Sequence, residues 1–152
     1  MEFKLYLKPR KRGFFNCMTK IFSYGKNEKL KSRKLLEQVF SEGKSFTVFP
    51  VKVFYLKPNA PLDFPVKVGV GVSGKHFKKA VDRNRIKRLL REAYRTEKLA
   101  LHKYLQEQNK YVVVFLLYID KVLPEYVVIK TKMPLIFERI IKQLNEASAA
   151  NT

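Results

Sequence analysis

Apolar residues recur along this chain with two periods, one typical of helices and one typical of strands. Helical spacing is found in three segments, which are residues 32–42, residues 80–95 with room to continue through Leu105, and residues 135–144. In the first segment Ser32 is placed to cap the helix and Gly43 to end it. Pro134 stands just before the last segment and leaves the start of that helix open.

β-branched and aromatic residues predict strands in three further segments. Val48 to Lys57 is rich in them, and Tyr111 to Ile119 is continuously apolar, as expected of a buried central strand. Val66 to Ser73 alternates valines with lysine or glycine, so one face of this strand is bulky and the other is nearly bare. Segment 59–65 contains prolines and lies between the strands predicted at Val48 to Lys57 and Val66 to Ser73, so it predicts a loop.

The order helix, strand, strand, helix, strand, helix on one small sheet predicts an α+β sandwich with a helical layer. A chain of 152 residues has room for one such domain, and 46% apolar residues are enough to fill its core. We assign residues 26–147 to this domain, residues 1–25 to a basic, mobile N-terminal extension, and residues 148–152 to a C-terminal tail.

The composition is strongly basic, with 32 Lys and Arg against 13 Asp and Glu and a net charge of +19. The excess is concentrated in two blocks. Residues 1–34 carry 11 basic and 2 acidic side chains, and residues 75–98 carry 10 basic and 3 acidic ones. Charge gathered into two blocks on an otherwise nearly neutral chain indicates surfaces that bind a polyanion, and nucleic acid is the first candidate.

The second basic block falls on the helix predicted over residues 80–95. At 100° per residue its apolar side chains lie on one side and most of its cations on the opposite side. Only two acids oppose eight cations between Lys78 and Arg95, whereas a merely solvated face normally interleaves acids with bases. Guanidinium groups bind phosphate through paired hydrogen bonds, and an amide can reach base or ribose edges. The block therefore predicts a nucleic-acid-binding face, made by Arg83, Asn84, Arg85, Lys87, Arg88, Arg91 and Arg95.

Few residues suit catalysis or metal binding. His76 and His102 are isolated from other metal-ligating residues, and Cys17 has neither a base nearby in sequence nor a second cysteine for an intramolecular disulfide. The acids are too sparse for the paired metals of a protein nuclease. The longest apolar run has nine residues, against roughly 20 for a membrane span. We therefore expect a cytoplasmic binding protein with no catalytic residue, no metal site, no small-molecule cofactor and no membrane contact.

Residues Arg83 to Arg88 match, one for one, the signature helix of the bacterial ribonuclease P protein family, in which Arg-Asn-Arg is followed by Ile-Lys-Arg. Two flanking segments also resemble that family. One is the first predicted helix, with Leu36 and Phe40 four residues apart and Gly43 following, and the other is the strand that leads into the signature helix. The resemblance covers roughly residues 26–145.

The resemblance implies a mostly antiparallel sheet of four strands in the order α-β-β-β-α-β-α, the sandwich of the second domain of ribosomal protein S5. The strand that periodicity leaves unlocated would come from splitting Phe46 to Val53. The cationic face would bind the catalytic RNA of ribonuclease P. Leu36, Phe40 and Tyr55 would line a cleft for the single-stranded 5′ leader of precursor tRNA, because stacking on such side chains tolerates any base. Helical spacing alone makes Phe40 a core residue by default.

The resemblance thus implies the protein subunit of ribonuclease P, an endoribonuclease whose RNA performs the Mg²⁺-dependent hydrolysis that matures the 5′ end of tRNA. Mg²⁺ would be bound mainly by the RNA. An alternative is a non-catalytic ribosomal or RNA-chaperone-like protein, because translation proteins share this sandwich. A self-contained nuclease is a third alternative, which inactivity without added RNA would exclude.

Overall fold

A computed structural model describes residues 22–150 of the chain, so predictions about Cys17 and residues 1–21 lie outside the described residues. Four helices and four strands are found in this range. In chain order they are α1 (Arg33–Ser41), β1 (Lys44–Val48), β2 (Val51–Leu56), β3 (Val66–Val72), α2 (Ala80–Glu97), α3 (Leu99–Glu107), β4 (Val112–Tyr118) and α4 (Tyr126–Ala149). The predicted α+β class and element order are confirmed, with the long basic helix of the prediction broken into α2 and α3 at Lys98.

The strands form one sheet in the order β1-β2-β4-β3. β1 pairs with β2 and β2 with β4 in antiparallel fashion, whereas β3 and β4 are parallel. The strand predicted over Val48 to Lys57 corresponds to β2, and β1 precedes it as a separate strand. The chain reverses at Phe49 and Pro50 and pairs Val48 with Val51. This split, which lies within Phe46 to Val53, supplies the fourth strand.

The two faces of the sheet are covered by different helices. Alternate residues of β2, namely Val51, Val53 and Tyr55, are buried on the face that α2, α3 and α4 cover, and this face forms the main core. The residues between them point to the opposite face, where α1 packs against β2 and β4. Val39 of α1 is fully buried there. Within residues 22–150, the sheet therefore has a thick helical layer on one side and one short helix on the other.

Helix α1 begins and ends where its sequence predicts. Ser32 has an extended backbone, and its Oγ accepts a hydrogen bond from the Leu35 N–H at 3.4 Å. Gly43 follows the C-cap residue Glu42, and a Cβ at this position would lie 2.2 Å from the Val39 carbonyl oxygen. Only glycine allows the chain to turn this tightly from α1 into β1, which fixes α1 across the sheet.

Helix α4 is longer than the prediction. It begins at Tyr126, nine residues before the predicted Leu135, and Pro134 lies inside it. Pro134 is exposed, while its neighbours Met133 and Ile136 are fully buried against the core. Proline removes one backbone hydrogen bond from the helix. Burial of the apolar residues before and after Pro134 outweighs that loss. Within residues 22–150, no helix is both long enough and apolar enough to cross a membrane.

Residues 22–30 are fixed along the outer edge of β3. The Val68 N–H donates to the Glu28 carbonyl at 2.7 Å, and the Leu30 N–H donates to the Val68 carbonyl at 3.0 Å. The Tyr24 hydroxyl also donates to the Val68 carbonyl, at 2.5 Å. These bonds occupy both backbone groups of Val68 on the open edge of the sheet. The packed part of the domain therefore already includes Tyr24, two residues before the predicted boundary at 26. For residues 1–21, the assignment to an N-terminal extension stays a prediction.

A buried polar cluster joins this segment to the helices. The Lys98 ammonium donates to Glu28 Oε1 and to the Ser23 carbonyl, each at 2.6 Å. The Tyr94 hydroxyl donates its single proton to Glu28 Oε2 at 2.9 Å, so His102 Nε2, 2.9 Å from the same hydroxyl, is the donor to it. Burial, followed by the charge of Lys98, lowers the pKa of His102 to about 3, and the imidazole is neutral.

Candidate RNA-binding surfaces

Helix α2 separates its apolar and cationic residues as predicted. Ile86, Leu90, Ala93 and Tyr94 are fully buried in the main core. On the outward side Asn84, Arg85, Arg88 and Arg91 are exposed, and Lys87 is half-buried. We call these five residues the basic surface. The burial of the inner side fixes the helix, so that its outward groups are presented in one orientation.

Two arginines of the predicted set bind the protein itself. Arg83 Nη1 donates to the carbonyl oxygens of Phe77 and Lys78, at 2.8 and 2.6 Å. Arg95 Nε donates to one carboxylate oxygen of Glu92 at 2.9 Å and Nη2 to the other, while Nη1 donates to the Phe22 carbonyl at 3.1 Å. Arg83 and Arg95 therefore lie at the two ends of α2 with donors already engaged.

The arginine side chains of the basic surface, in contrast, have hydrogen-bond donors that no described residue occupies. Within residues 22–150, the side chains of Arg85, Arg88 and Arg91 form no hydrogen bond or salt bridge. Like charges this close repel one another, and a polyanion relieves that repulsion when it binds. Three free guanidinium forks on one helix face are suited to successive phosphates of a nucleic acid.

A second candidate site lies on the opposite face of the sheet, under α1. The Phe40 ring of α1 lies 5.0 Å, centroid to centroid, from the ring of Phe54 on β2 and 5.0 Å from that of Phe115 on β4. Phe54 and Phe115 are directly opposite each other in the strand register. Phe40 is 48% exposed, and the other two rings are partly exposed. We call these three phenylalanines the aromatic cleft.

The bare face of β3 makes room for this cleft. Gly69 of β3 pairs with Phe115 of β4 in the strand register. A Cβ on Gly69 would lie 2.8 Å from Phe115 Cδ2, and one on Gly71 would lie 2.6 Å from Phe115 Cζ. The Phe115 ring therefore lies flat over backbone that carries no side chain. A ring of the neighbouring strand thus covers the bare face that the glycines predict.

The prediction that Tyr55 lines the leader cleft is wrong. Tyr55 is 5% exposed, lies on the main-core face of β2, and has its ring 6.0 Å from that of Phe46. Burial, followed by the charge of Glu146, raises the pKa of its hydroxyl. Successive side chains of a strand point to opposite faces, so the residue that reaches the cleft is Phe54. Alternation alone assigns Phe54 and Tyr55 to opposite faces, and the burial of Val51 and Val53 shows that Tyr55 is on the main-core face.

Of the other predicted cleft residues, Leu36 is half-buried on α1, one helical turn before Phe40. Positive charge also borders the rings, because Lys52 Nζ lies 5.1 Å from the centroid of Phe54. The cleft thus combines aromatic faces with a cation. Phe115 was missed because it comes from the continuous apolar run of β4, where periodicity does not separate the two faces.

Both sites carry groups that are suited to binding nucleic acid. Among residues 22–150, no group of three or more His, Cys, Asp and Glu side chains could hold a metal ion. His76 is half-buried in the loop before α2, and His102 belongs to the buried cluster around Glu28. The surfaces offer guanidinium donors, an amide and aromatic faces, which recognise phosphates and unpaired bases.

Comparisons with known proteins agree with this picture. The family model described as Ribonuclease P matches residues 24–131. A ribonuclease P protein component of Porphyromonas gingivalis is 34% identical over 130 residues, which cover 86% of this chain and 95% of the relative. The solved RNase P protein of Staphylococcus aureus has a TM-score of 0.59 at 17% identity, covering 76% of this chain and 96% of that one. The RNase P protein of Thermotoga maritima has a TM-score of 0.57 at 24% identity, covering 74% and 96%. These two structures share the fold.

Proposed function

This chain belongs to the ribonuclease P protein family, and on that basis we propose that its two surfaces bind two different RNAs. As the protein component of ribonuclease P it takes part in tRNA processing within an endoribonuclease complex that contains RNA. We propose that the basic surface of α2 binds the catalytic RNA. We further propose that the aromatic cleft holds the 5′ leader of precursor tRNA, in the cytoplasm.

The free donors of the basic surface carry the first part of this proposal. Arg85, Arg88 and Arg91 are held in place by the buried side of α2 and are not neutralised by acids within residues 22–150. A structured RNA presents dense phosphates, and each phosphate contact releases counterions. Affinity should therefore fall steeply with salt. Asn84, exposed among these arginines, is suited to a base or ribose edge.

The geometry of the aromatic cleft supports the second part. An unpaired base can stack on the exposed face of Phe40, with Phe54 and Phe115 beneath it and Lys52 beside it for the phosphate. Stacking accepts every base because each has a π-face. Such a cleft suits a leader whose sequence differs from one precursor to the next. Mature tRNA has no leader, so it would leave the cleft empty.

In this proposal the RNA partner performs the hydrolysis and the protein lowers its cost by charge neutralisation and positioning. Mg²⁺ would be bound mainly by the RNA, because a surface with a large excess of positive charge repels a divalent cation. The protein then contributes by holding two polyanions close together. Reconstitution with a bacterial catalytic RNA at low Mg²⁺ tests this, since cleavage of precursor tRNA should depend on the added protein.

A single substitution tests the basic surface directly. Arg88→Ala removes one free guanidinium and no buried contact, so affinity for the catalytic RNA should fall by about 1 to 3 kcal/mol while stability stays unchanged. Lys103→Ala is the matched control, because Lys103 is exposed on α3 and its loss lowers the net charge equally. Equal effects of the two variants would show that only total charge matters, and the assignment of this surface would be abandoned.

A further inference from the structure

The loop between β3 and α2, residues 73–79, is a cationic element that the basic surface does not include. Lys75, Lys78 and Lys79 are all exposed in it. The loop leads directly into α2, whose first residue is Ala80, so these lysines extend the positive charge of the chain beyond the start of the helix. These lysines can contact a structured partner in a fixed arrangement only if the loop is held in place.

Two side chains hold this loop against the rest of the protein. The Phe77 side chain is 6% exposed, and its ring lies 6.1 Å from that of Tyr118 on β4. On the backbone, Arg83 Nη1 donates to two consecutive carbonyl groups, those of Phe77 at 2.8 Å and Lys78 at 2.6 Å. No side chain caps α2, because the N-cap residue is Lys79 and forms no side-chain cap hydrogen bond. Arg83 is thus the side chain that ties the loop to the helix.

The geometry of Arg83 suits this task. It lies in the first turn of α2, and helical side chains lean towards the helix N-terminus, which brings its guanidinium back over the loop. An Nη atom carries two protons, and both are used by the two carbonyl groups. Those carbonyls belong to Phe77 and to Lys78, so the tie acts at the point where the buried anchor meets the exposed lysines.

We propose that Arg83 is a positioning residue, which fixes the loop so that Lys78 and Lys79 bind RNA together with the basic surface. This inference rests on the proposed function, since it needs α2 to bind the catalytic RNA. It divides the arginines of the signature helix by role. Arg85 reaches the RNA itself, whereas Arg83 acts through the lysines that precede the helix.

A double-mutant cycle on the full-length protein tests the assignment. The catalytic RNA is titrated with the wild type, with Arg83→Gln, with the loop variant that combines Lys78→Ala and Lys79→Ala, and with the three changes together. We expect Arg83→Gln to weaken binding about tenfold in the wild type and less than about twofold in the loop variant. Arg85→Gln is the matched control, and it should weaken binding by the same factor in both backgrounds.

Amide hydrogen exchange of the free protein supplies a second measurement. The Phe77 N–H donates to the Ser73 carbonyl at 3.3 Å, and its protection should fall in Arg83→Gln but not in Arg85→Gln. If Arg83→Gln does not fold, Arg83→Lys replaces it, because lysine keeps the charge but its ammonium ends one bond short of the position of Arg83 Nη1. The expected loss for Arg83→Lys is again confined to proteins that keep both loop lysines.

Two outcomes would overturn the inference. One is an unchanged affinity of the loop variant, and the other is an equal effect of the Arg83 change with and without the loop lysines, as a direct contact would give. The control reports separately on the proposed function. If Arg85→Gln has no effect on affinity, the basic surface is not the RNA site, whatever the cycle at Arg83 shows.

Discussion

Truncation of Phe40 to alanine is the most informative test of the aromatic cleft. Phe40 carries the most exposed of the three rings, at 48%, and a base that enters the cleft would meet this ring first. A base stacked on an aromatic side chain contributes about 1 to 3 kcal/mol. The variant should therefore bind precursor tRNA about 5- to 150-fold more weakly in the assembled enzyme, and mature tRNA as before.

The cost in stability is small enough for this measurement. Full burial of a phenylalanine contributes about 1.5 to 3 kcal/mol, and because Phe40 is only half buried its truncation should cost about 1 kcal/mol. A domain of this size is normally stable by about 5 to 15 kcal/mol, so the variant stays folded. Tyr55→Ala would behave differently. Its ring is buried in the main core, and truncation there costs about 3 to 5 kcal/mol with no selective effect on the leader.

The assay compares precursor with mature tRNA, using holoenzyme reconstituted with wild-type or variant protein at equal Mg²⁺. Phe49→Ala is the matched control, because Phe49 is 62% exposed in the turn between β1 and β2 and lies outside the cleft. Phe49→Ala removes an exposed phenyl ring of the same kind from another part of the surface. If Phe40→Ala weakened the binding of both tRNAs equally, or if Phe49→Ala weakened precursor binding as much, the cleft would not be the leader site.

Two further predictions concern the buried polar cluster around Glu28, and one concerns the glycine beneath the aromatic cleft. Glu28→Ala leaves the buried Lys98 ammonium without its carboxylate, so the free energy of unfolding in urea should fall by about 3 to 5 kcal/mol, and a loss below about 1 kcal/mol would contradict the role of this ion pair. The pKa of His102 is lowered from 6.5 to about 3, so below pH 6.5 the unfolded chain binds a proton that the folded chain does not. Stability should therefore fall as the pH decreases from 6.5 towards 3, and denaturation curves over this range should show a smaller fall for His102→Gln. Gly71→Ala places a methyl group against the ring above it and should weaken precursor binding, whereas Gly74→Ala, with open space around it, should not. Equal precursor affinities of these two glycine variants would refute the account of the bare strand face.

Several features of this protein are determined by local sequence. The helical spacing around Val39 predicts α1, and Ser32 and Gly43 mark its ends because capping and tight turning depend on residues within one turn. The division of α2 into a buried and a cationic side follows from the 100° rotation per residue. The match from Arg83 to Arg88 depends only on residue order. Such signals are short in range, and the chain needs no other element to express them.

Other features were decided only when distant segments packed together. Periodicity shows that Phe54 and Tyr55 point to opposite faces of β2, but which face meets α1 depends on how the whole sheet is covered. The aromatic cleft joins Phe40, Phe54 and Phe115 from three elements, and pairing of β2 with β4 brings the last two into register. The early start of α4 has a similar origin, since burial against the core outweighs the local effect of its proline.

The roles of individual arginines also depended on tertiary structure. By composition, Arg83, Arg85 and Arg95 are equivalent cations on one helix. In the folded protein Arg83 reaches two loop carbonyls and Arg95 reaches Glu92 and the Phe22 carbonyl, while Arg85 keeps its donors free within residues 22–150. Sequence determines that these groups are charged and on which side of α2 they begin. The acceptors within reach of a long side chain depend on how the surrounding segments fold, so only the tertiary structure shows which guanidinium groups are already bonded within residues 22–150.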